Sequence, residues 1–274
     1  MENGKLYLVA TPIGNLGDIT LRALETLKSV DIILAEDTRK TIKLLNHFEI
    51  AKPMISFYRH NEGTKTEKVI EMLKEGKNLA LVSDAGTPAI SDPGEDLVKE
   101  AIREEIEMIP IPGAVAFIQG LIVSGFDTTR FVFEGFLPMN KANRREHLKA
   151  LENEERTIIF YEAPHKLKRT LKDLASTFGE ERKVVLAREI TKIHEEHLRM
   201  TLKEAIAYYE EIEVKGEFVV LVEGAPKKEV VVTETVEELM AQYLEEGLSE
   251  KEAMKKVAKE KGMTKSQVYA MLKT

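Results

Sequence analysis

The chain has 274 residues, no cysteine, and 47 acidic against 40 basic side chains, for a formal net charge of −7. This excludes a disulfide framework and thiolate metal sites and fits a reducing cytoplasm. It also argues against a surface coated uniformly for nucleic acid, while leaving room for a local basic face. The length suits two domains plus an appendage. No apolar run approaches the roughly 18 residues needed to span a membrane, and Met1-Glu-Asn-Gly-Lys5 leads directly into a strand, so a cytoplasmic protein without a signal peptide is expected.

Short β-type runs alternate with segments of helical period, which predicts α/β layers. Strands are expected at 5–11, 31–36, 54–57, 78–83 and 106–109, with helices at about 20–29, 39–47, 65–75 and 94–105. Together these would form a first, mainly parallel sheet. Pro110-Ile-Pro-Gly-Ala114 should end the fifth strand, because proline cannot donate to a ladder. A helix at about 114–123 ends at Gly125. A second set of strands follows at 131–134, 157–162, 183–188, 197–201 and 217–223, with helices at about 141–153, 165–177 and 202–212.

The expected division is an N-terminal α/β domain at 1–113, a C-terminal α/β domain at 114–226 and a helical tail at 233–274. Gly224 to Lys228 reads as an exit linker, and Val230–Val232 as a further edge strand. In the tail, Ser249 with Glu252 and Thr264 with Gln267 have the capping-box spacing, and Gly262 lies between them. Helix, short glycine turn and helix describe a helix-turn-helix.

Several predicted strands run into polar, turn-forming residues. They are Leu6–Gly14, Ile32–Arg39, Leu79–Pro88 and Ile158–His165. In α/β proteins the carboxyl ends of strands are where ligands sit. Ser83-Asp-Ala-Gly-Thr-Pro-Ala-Ile-Ser-Asp-Pro-Gly94 is longer than simple linkage requires and carries two glycines, two prolines and two aspartates. The spacing of Gly14 and Gly17 is not that of a dinucleotide fingerprint, and no Walker-type loop occurs. His194 and His197 lack a third ligand and read as structural or solvated, so no metal is expected.

Basic charge is local. Lys166, Lys168, Arg169 and Lys172 lie in a stretch free of acids, Lys141, Arg144, Arg145 and Lys149 form another cluster, and residues 251–274 hold seven lysines against Glu252 and Glu260. Solvated helix faces explain many such runs. Three clusters on an acidic chain also suggest contact with phosphates.

Five segments taken together resemble the tetrapyrrole-methylase-like (class III) S-adenosylmethionine methyltransferases. They are Leu8–Asp18, Ala35–Arg39, Ser83–Gly94, Pro110–Ala114 and Phe160–His165. Within that family, Glu36-Asp-Thr-Arg39 and Tyr161-Glu-Ala-Pro-His165 resemble the branch of bacterial 16S ribosomal RNA (cytidine-2′-O)-methyltransferases. The resemblance implies two α/β domains with a cleft between them, a homodimer, S-adenosylmethionine as methyl donor, and a decoding-centre cytidine of the small ribosomal subunit as acceptor.

Carried over to matching positions, cofactor contacts fall on Pro12, Ser83, Asp84, Ala85, Gly86, Ile90, Ala114, Val115, Phe160, Tyr161, Ala187 and Phe218. Glu36, Asp37, Glu162 and His165 are the acid–base candidates. Arg39, Lys166, Lys168, Arg169 and Lys265 are the candidate RNA contacts. Two alternatives stay open: a methylase of the same fold acting on a tetrapyrrole or a protein side chain, and a nucleotide-sensing regulator that binds nucleic acid through its tail.

Overall fold

The computed structural model describes residues 2–58, 62–226 and 234–272. Five strands, β1 (Leu6–Val9), β2 (Ile32–Ala35), β3 (Met54–Ser56), β4 (Leu79–Val82) and β5 (Met108–Ile111), form a parallel sheet in the order β3-β2-β4-β1-β5. The helices that alternate with them are α1 (Leu21–Ser29), α2 (Thr38–His47), α3 (Glu62–Lys74) and α4 (Glu95–Arg103).

Both faces of this sheet are covered, so β4 is apolar and buried at every position. Leu79 and Leu81 pack with α3 and α4, while Ala80 and Val82 face the core built with α1 and α2. The order sets the ends of β2, β4 and β1 side by side, so loops distant in sequence meet at one edge.

The sequence expectation for β5 needs correction. The strand runs on through Pro110, which is in register with Leu8, to Ile111, which is in register with Val9. Strand β5 lies at the sheet's edge, where the donor that proline lacks is not required.

Helix α5 (Ala116–Ser124) leads into the second domain. Its strands are β6 (Phe131–Phe136), β7 (Thr157–Glu162), β8 (Lys183–Arg188), β9 (Glu196–Thr201) and β10 (Phe218–Val222), ordered β6-β7-β10-β8-β9. Strands β6 and β7 are parallel, and the remaining pairs are antiparallel. Helices α6 (Lys141–Ala150), α7 (Pro164–Phe178) and α8 (Leu202–Glu211) cover one face of this sheet, and α5 packs on the other.

Alternation along β7 divides its side chains between these cores. Ile158 and Phe160 point towards α7, whereas Ile159 and Tyr161 face the side of α5. Both sheets belong to one compact unit, Met1–Ala225.

The second unit, Pro226–Thr274, holds α9 (Val236–Glu245), α10 (Glu250–Glu260) and α11 (Lys265–Leu272) around a core of its own that includes Leu239, Met240, Val257 and Val268. The backbone N–H of Ser249 donates to Glu252, and that of Thr264 to Gln267, at 3.1 and 2.8 Å. Thr235 and Glu238 cap α9 in the same way. The suggested strand at Val230–Val232 lies outside the described residues. No described helix is long and apolar enough to cross a membrane.

Arg144 is also a correction. The basic cluster on α6 suggested solvated cations, but Arg144 is buried, with its side chain 2% exposed. It donates to Asp173 at 2.7 Å and to the carbonyls of Pro138 and Met139. It is an internal tie between α6, α7 and the end of β6, with no donor facing outward for a phosphate.

Candidate active site

The carboxyl ends of β1, β2 and β4 face the ends of β6, β7, β8 and the start of β10 across a cleft of about 370 Å³. That size suits a small-molecule site. The first wall is built from loops bound to one another. Thr11 and Gly86 exchange backbone hydrogen bonds at 2.8 and 3.0 Å, which ties the loop after β4 to the end of β1. Gly86 has φ +83°, and an added Cβ would lie 3.2 Å from Ile13 Cγ2. Ala89 and Ser91 in the same loop hold left-handed backbone, at φ 63° and 64°. Such non-glycine strain persists where surrounding contacts enforce it, and it clusters at ligand sites.

A reciprocal clamp joins β2 to β4. Asp84 Oδ1 accepts the Asp37 N–H at 3.0 Å, and Glu36 Oε2 accepts the Asp84 N–H at 3.4 Å. Asp84 Oδ2 also takes a bond from Lys40 Nζ at 2.7 Å, and this raises the lysine pKa further above its ordinary value. Asp37 lies beside this network. Its carboxylate caps α2 and binds Arg39 through two oxygens, and the Arg39 bond holds its pKa down at about 2.

The second wall is aromatic on one side. Tyr161 packs against Phe133 and Phe136, with ring centroids 5.0 and 5.6 Å apart. Its hydroxyl accepts the Phe117 N–H at 3.3 Å, and burial pushes its pKa up to about 12. Beside it Glu162, buried at 5% exposure, accepts the Ala163 N–H at 2.9 Å and the Thr170 hydroxyl at 2.5 Å.

The other side of this wall is a salt-bridge triad. Lys192 Nζ contacts Glu189 and Glu217 at 2.8 and 2.9 Å. Burial would raise the pKa of Glu189, but the bonds from Lys192 and the Glu217 N–H outweigh it and leave the pKa lowered.

Of the residues named from sequence, Glu36, Asp84, Ala85, Gly86, Ile90, Val115, Tyr161, Glu162, Ala187 and Phe218 line the cleft. Pro12, Asp37, Ser83, Ala114, Phe160 and His165 do not. Ser83 turns its hydroxyl into its own loop, towards the carbonyls of Ala85 and Gly86. The Ala114 carbonyl accepts from Thr87. Phe160 is fully buried on the α7 face of β7, one residue out of phase with Tyr161.

Arg39 is exposed on the first turn of α2, and Lys166, Lys168 and Arg169 lie on the first turns of α7, directly after the cleft-lining Glu162 and Ala163. Lys265 is exposed at the start of α11 in the second unit. Among the described residues no cluster of histidines and carboxylates could hold a metal. His197 instead bonds Glu195 at 2.9 Å.

Sequence reasoning missed Lys40, Phe136, Glu189, Lys192 and Glu217. Lys40 adjoins a motif already singled out. The other four are assembled by strand pairing and by a bulge, neither of which has a local signature.

The lining carries Glu36, Asp84, Asp92, Glu162, Glu189 and Glu217 against Lys40 and Lys192. Six carboxylates and two lysines form a field that attracts a cationic ligand.

Two α/β domains around such a cleft define a class of methyltransferase folds. A uroporphyrin-III C-methyltransferase from Thermus thermophilus, solved in complex with S-adenosyl homocysteine, superposes with a TM-score of 0.59 at 14% identity, over 80% of this chain and 97% of that one. A diphthine synthase superposes with a TM-score of 0.62 at 15% identity, over 81% of this chain and 90% of that one.

Sequence narrows the class. The tetrapyrrole (corrin/porphyrin) methylase profile matches residues 5–206, and the chain belongs to that family. Ribosomal RNA small subunit methyltransferase I from Synechocystis sp. is 50% identical over 270 residues, covering 98% of this chain and 97% of that protein. The Bacillus subtilis protein of the same name is 46% identical, over 98% of this chain and 94% of its own length. Its namesake from Thermotoga maritima is 50% identical over 221 residues, with 99% of its length covered by 81% of this chain. A stretch about as long as the helical unit therefore has no counterpart there.

Proposed function

We propose that this protein methylates 16S ribosomal RNA of the small ribosomal subunit, using S-adenosylmethionine, at the 2′-hydroxyl of a decoding-centre cytidine. The observation that carries the donor is the carboxylate-rich cleft, which suits a cationic sulfonium. The acceptor is supported by near-full-length relatives at about half identity whose names specify small-subunit ribosomal RNA, and by the cations of α7 beside the cleft. A tetrapyrrole would not need a helical unit. The reading carries with it a cytoplasmic location and a homodimer.

Bound in the cleft, the donor would supply a methyl group already activated on sulfur, for one in-line displacement. The protein's task is then alignment, which is worth roughly 7–11 kcal/mol when reactants are well oriented. Ile90, Val115, Ala187 and the start of β10 offer an apolar slot for adenine, and Asp84 with the backbone of the exposed Ala85 offers partners for ribose and amino groups.

Among the acid–base candidates, Glu36 and Glu162 line the cleft and Asp37 and His165 do not, and Glu162 is buried against Ala163 and Thr170. Glu36 is assigned to accept the hydroxyl proton, a role worth about 10²–10⁴-fold. Lys166, Lys168 and Arg169 hold the RNA backbone.

The test is incubation with methyl-labelled S-adenosylmethionine and small subunits lacking the modification. Label should enter 16S RNA. Tight donor binding without label on RNA rejects the acceptor. In the same assay, a chain ending at residue 226 should keep donor affinity while its KM for subunits rises roughly tenfold, the worth of one or two charged contacts. Equal loss of both would make the helical unit a structural support.

A further inference from the structure

We infer that Phe136, with Tyr161 behind it, is the platform on which the base of the acceptor nucleotide stacks. The inference rests on the reading of the chain as an RNA methyltransferase, and it adds the surface that holds the base.

The starting point is a break in strand parity. Along β6, Phe131 and Phe133 face the same core as Ile159 and Tyr161. Regular alternation would put residue 135 on that face and send Phe136 to the opposite one. The β6–β7 register instead shifts between Phe133 and Gly135, so that Gly135 pairs with Phe160 and Phe136 with Tyr161. One extra residue, Glu134, reverses the parity. Bulges of this kind re-aim side chains beside active sites.

The bulge is held on both sides. Gly135 has φ +63°, a conformation costly for other residues, and an added Cβ there would lie 3.2 Å from Ser91 Oγ in the loop after β4. The Glu134 carboxylate meets His147 of α6 at 2.8 Å. Beyond Phe136, Arg144 gathers the carbonyls of Pro138 and Met139. Two contacts, Glu134 with His147 and Arg144 with the Pro138 and Met139 carbonyls, thus flank a ring that is itself 53% exposed.

This ring lines the cleft beside Tyr161. Phe133 and Phe117 back the pair, with their rings stacked 4.3 Å apart. A rigid aromatic cluster with one face left open is what unstacked bases bind in single-stranded RNA recognition. A nucleotide drawn out of its stack so that its ribose reaches the cleft leaves a bare base face to be held. Charge identifies the occupant as part of a polyanion. Helix α7 begins two residues after Glu162, and Lys166, Lys168 and Arg169 follow within about 9 Å of rise. Phosphates flanking a base on Phe136 would have these cations as partners.

The experiment compares Phe136→Ala, Phe136→Leu and Phe136→Trp with the wild-type enzyme, reading donor affinity by calorimetry and KM and kcat for unmodified small subunits. Stacking is worth about 1–3 kcal/mol per base, so Phe136→Ala and Phe136→Leu should raise KM for subunits roughly 5- to 150-fold. Donor affinity and melting temperature should stay near wild type, and Phe136→Trp should restore KM. An unchanged KM in Phe136→Ala overturns the inference. So does an equal KM in the Leu and Trp variants, which would show that bulk and not the aromatic face matters. A matching loss of donor affinity would reassign Phe136 to the donor. Failure of the wild type to label RNA would instead reject the underlying function.

Discussion

The two walls of the cleft are built on different principles. On the first domain, polar groups are spent on one another. Asp84 answers Asp37 and Lys40, Glu36 answers the Asp84 N–H, and Thr11 answers Gly86. On the second domain the wall presents side chains, with Phe136 and Tyr161 packed at a tilt of 55° and Lys192 held between two glutamates. The first is a rigid backbone mould, suited to one small ligand of fixed shape. The second is an aromatic and charged surface, suited to a partner that arrives from outside. Under the proposed function, the first wall would hold the donor's polar groups and the second would meet the acceptor's base.

The largest expected effect is on what holds the second wall. Arg144→Ala leaves the half-buried Asp173 without its cation and two carbonyls without a donor, a loss of about 2–4 kcal/mol, below that of a fully buried pair. Urea denaturation should show this loss. A change below 1 kcal/mol would mean that the end of β6 is held in another way.

Next comes the first wall. Asp84→Ala removes the acceptor for the Asp37 N–H and the partner of Lys40, and it should weaken donor binding about tenfold or more, the scale of one charged hydrogen bond. Unchanged affinity in calorimetry would make Asp84 part of the scaffold only.

The smallest effect concerns Tyr161. Tyr161→Phe removes the acceptor for the Phe117 N–H, at about 1 kcal/mol, and keeps the ring. Burial raises the pKa of Tyr161 and Tyr209 from 10.0 to about 12. An acid with a raised folded pKa gives stability that is complete below pH 10 and is lost as pH rises towards 12. The variant should therefore show a shallower alkaline loss of stability than the wild type, with one fewer tyrosine ionising near pH 12 by ultraviolet absorption. An identical alkaline profile would place the Tyr161 hydroxyl in solvent.

How much of this was legible in the sequence follows from the range of each interaction. Element positions were readable because apolar periodicity and turn residues are local, as the capping pairs at Ser249 and Thr264 show. The polar strand ends of the first wall were readable for the same reason. Pro110 misled because only the sheet order reveals that β5 is an edge. Arg144 misled because its partner Asp173 lies 29 residues on, across a helix pair. Phe136 was missed because alternation in β6 is reversed by a bulge at Glu134 that no local pattern announces. The triad of Glu189, Lys192 and Glu217 forms only when β8 pairs with β10.

The most direct test of the central claim is where the methyl group ends up. A 2′-O-methyl removes the nucleophile that cleaves RNA in alkali, so 16S RNA labelled by this enzyme should yield its label in one alkali-resistant dinucleotide with cytidine on the 5′ side. Label released in mononucleotides would mean that a base had been methylated, and would contradict the account.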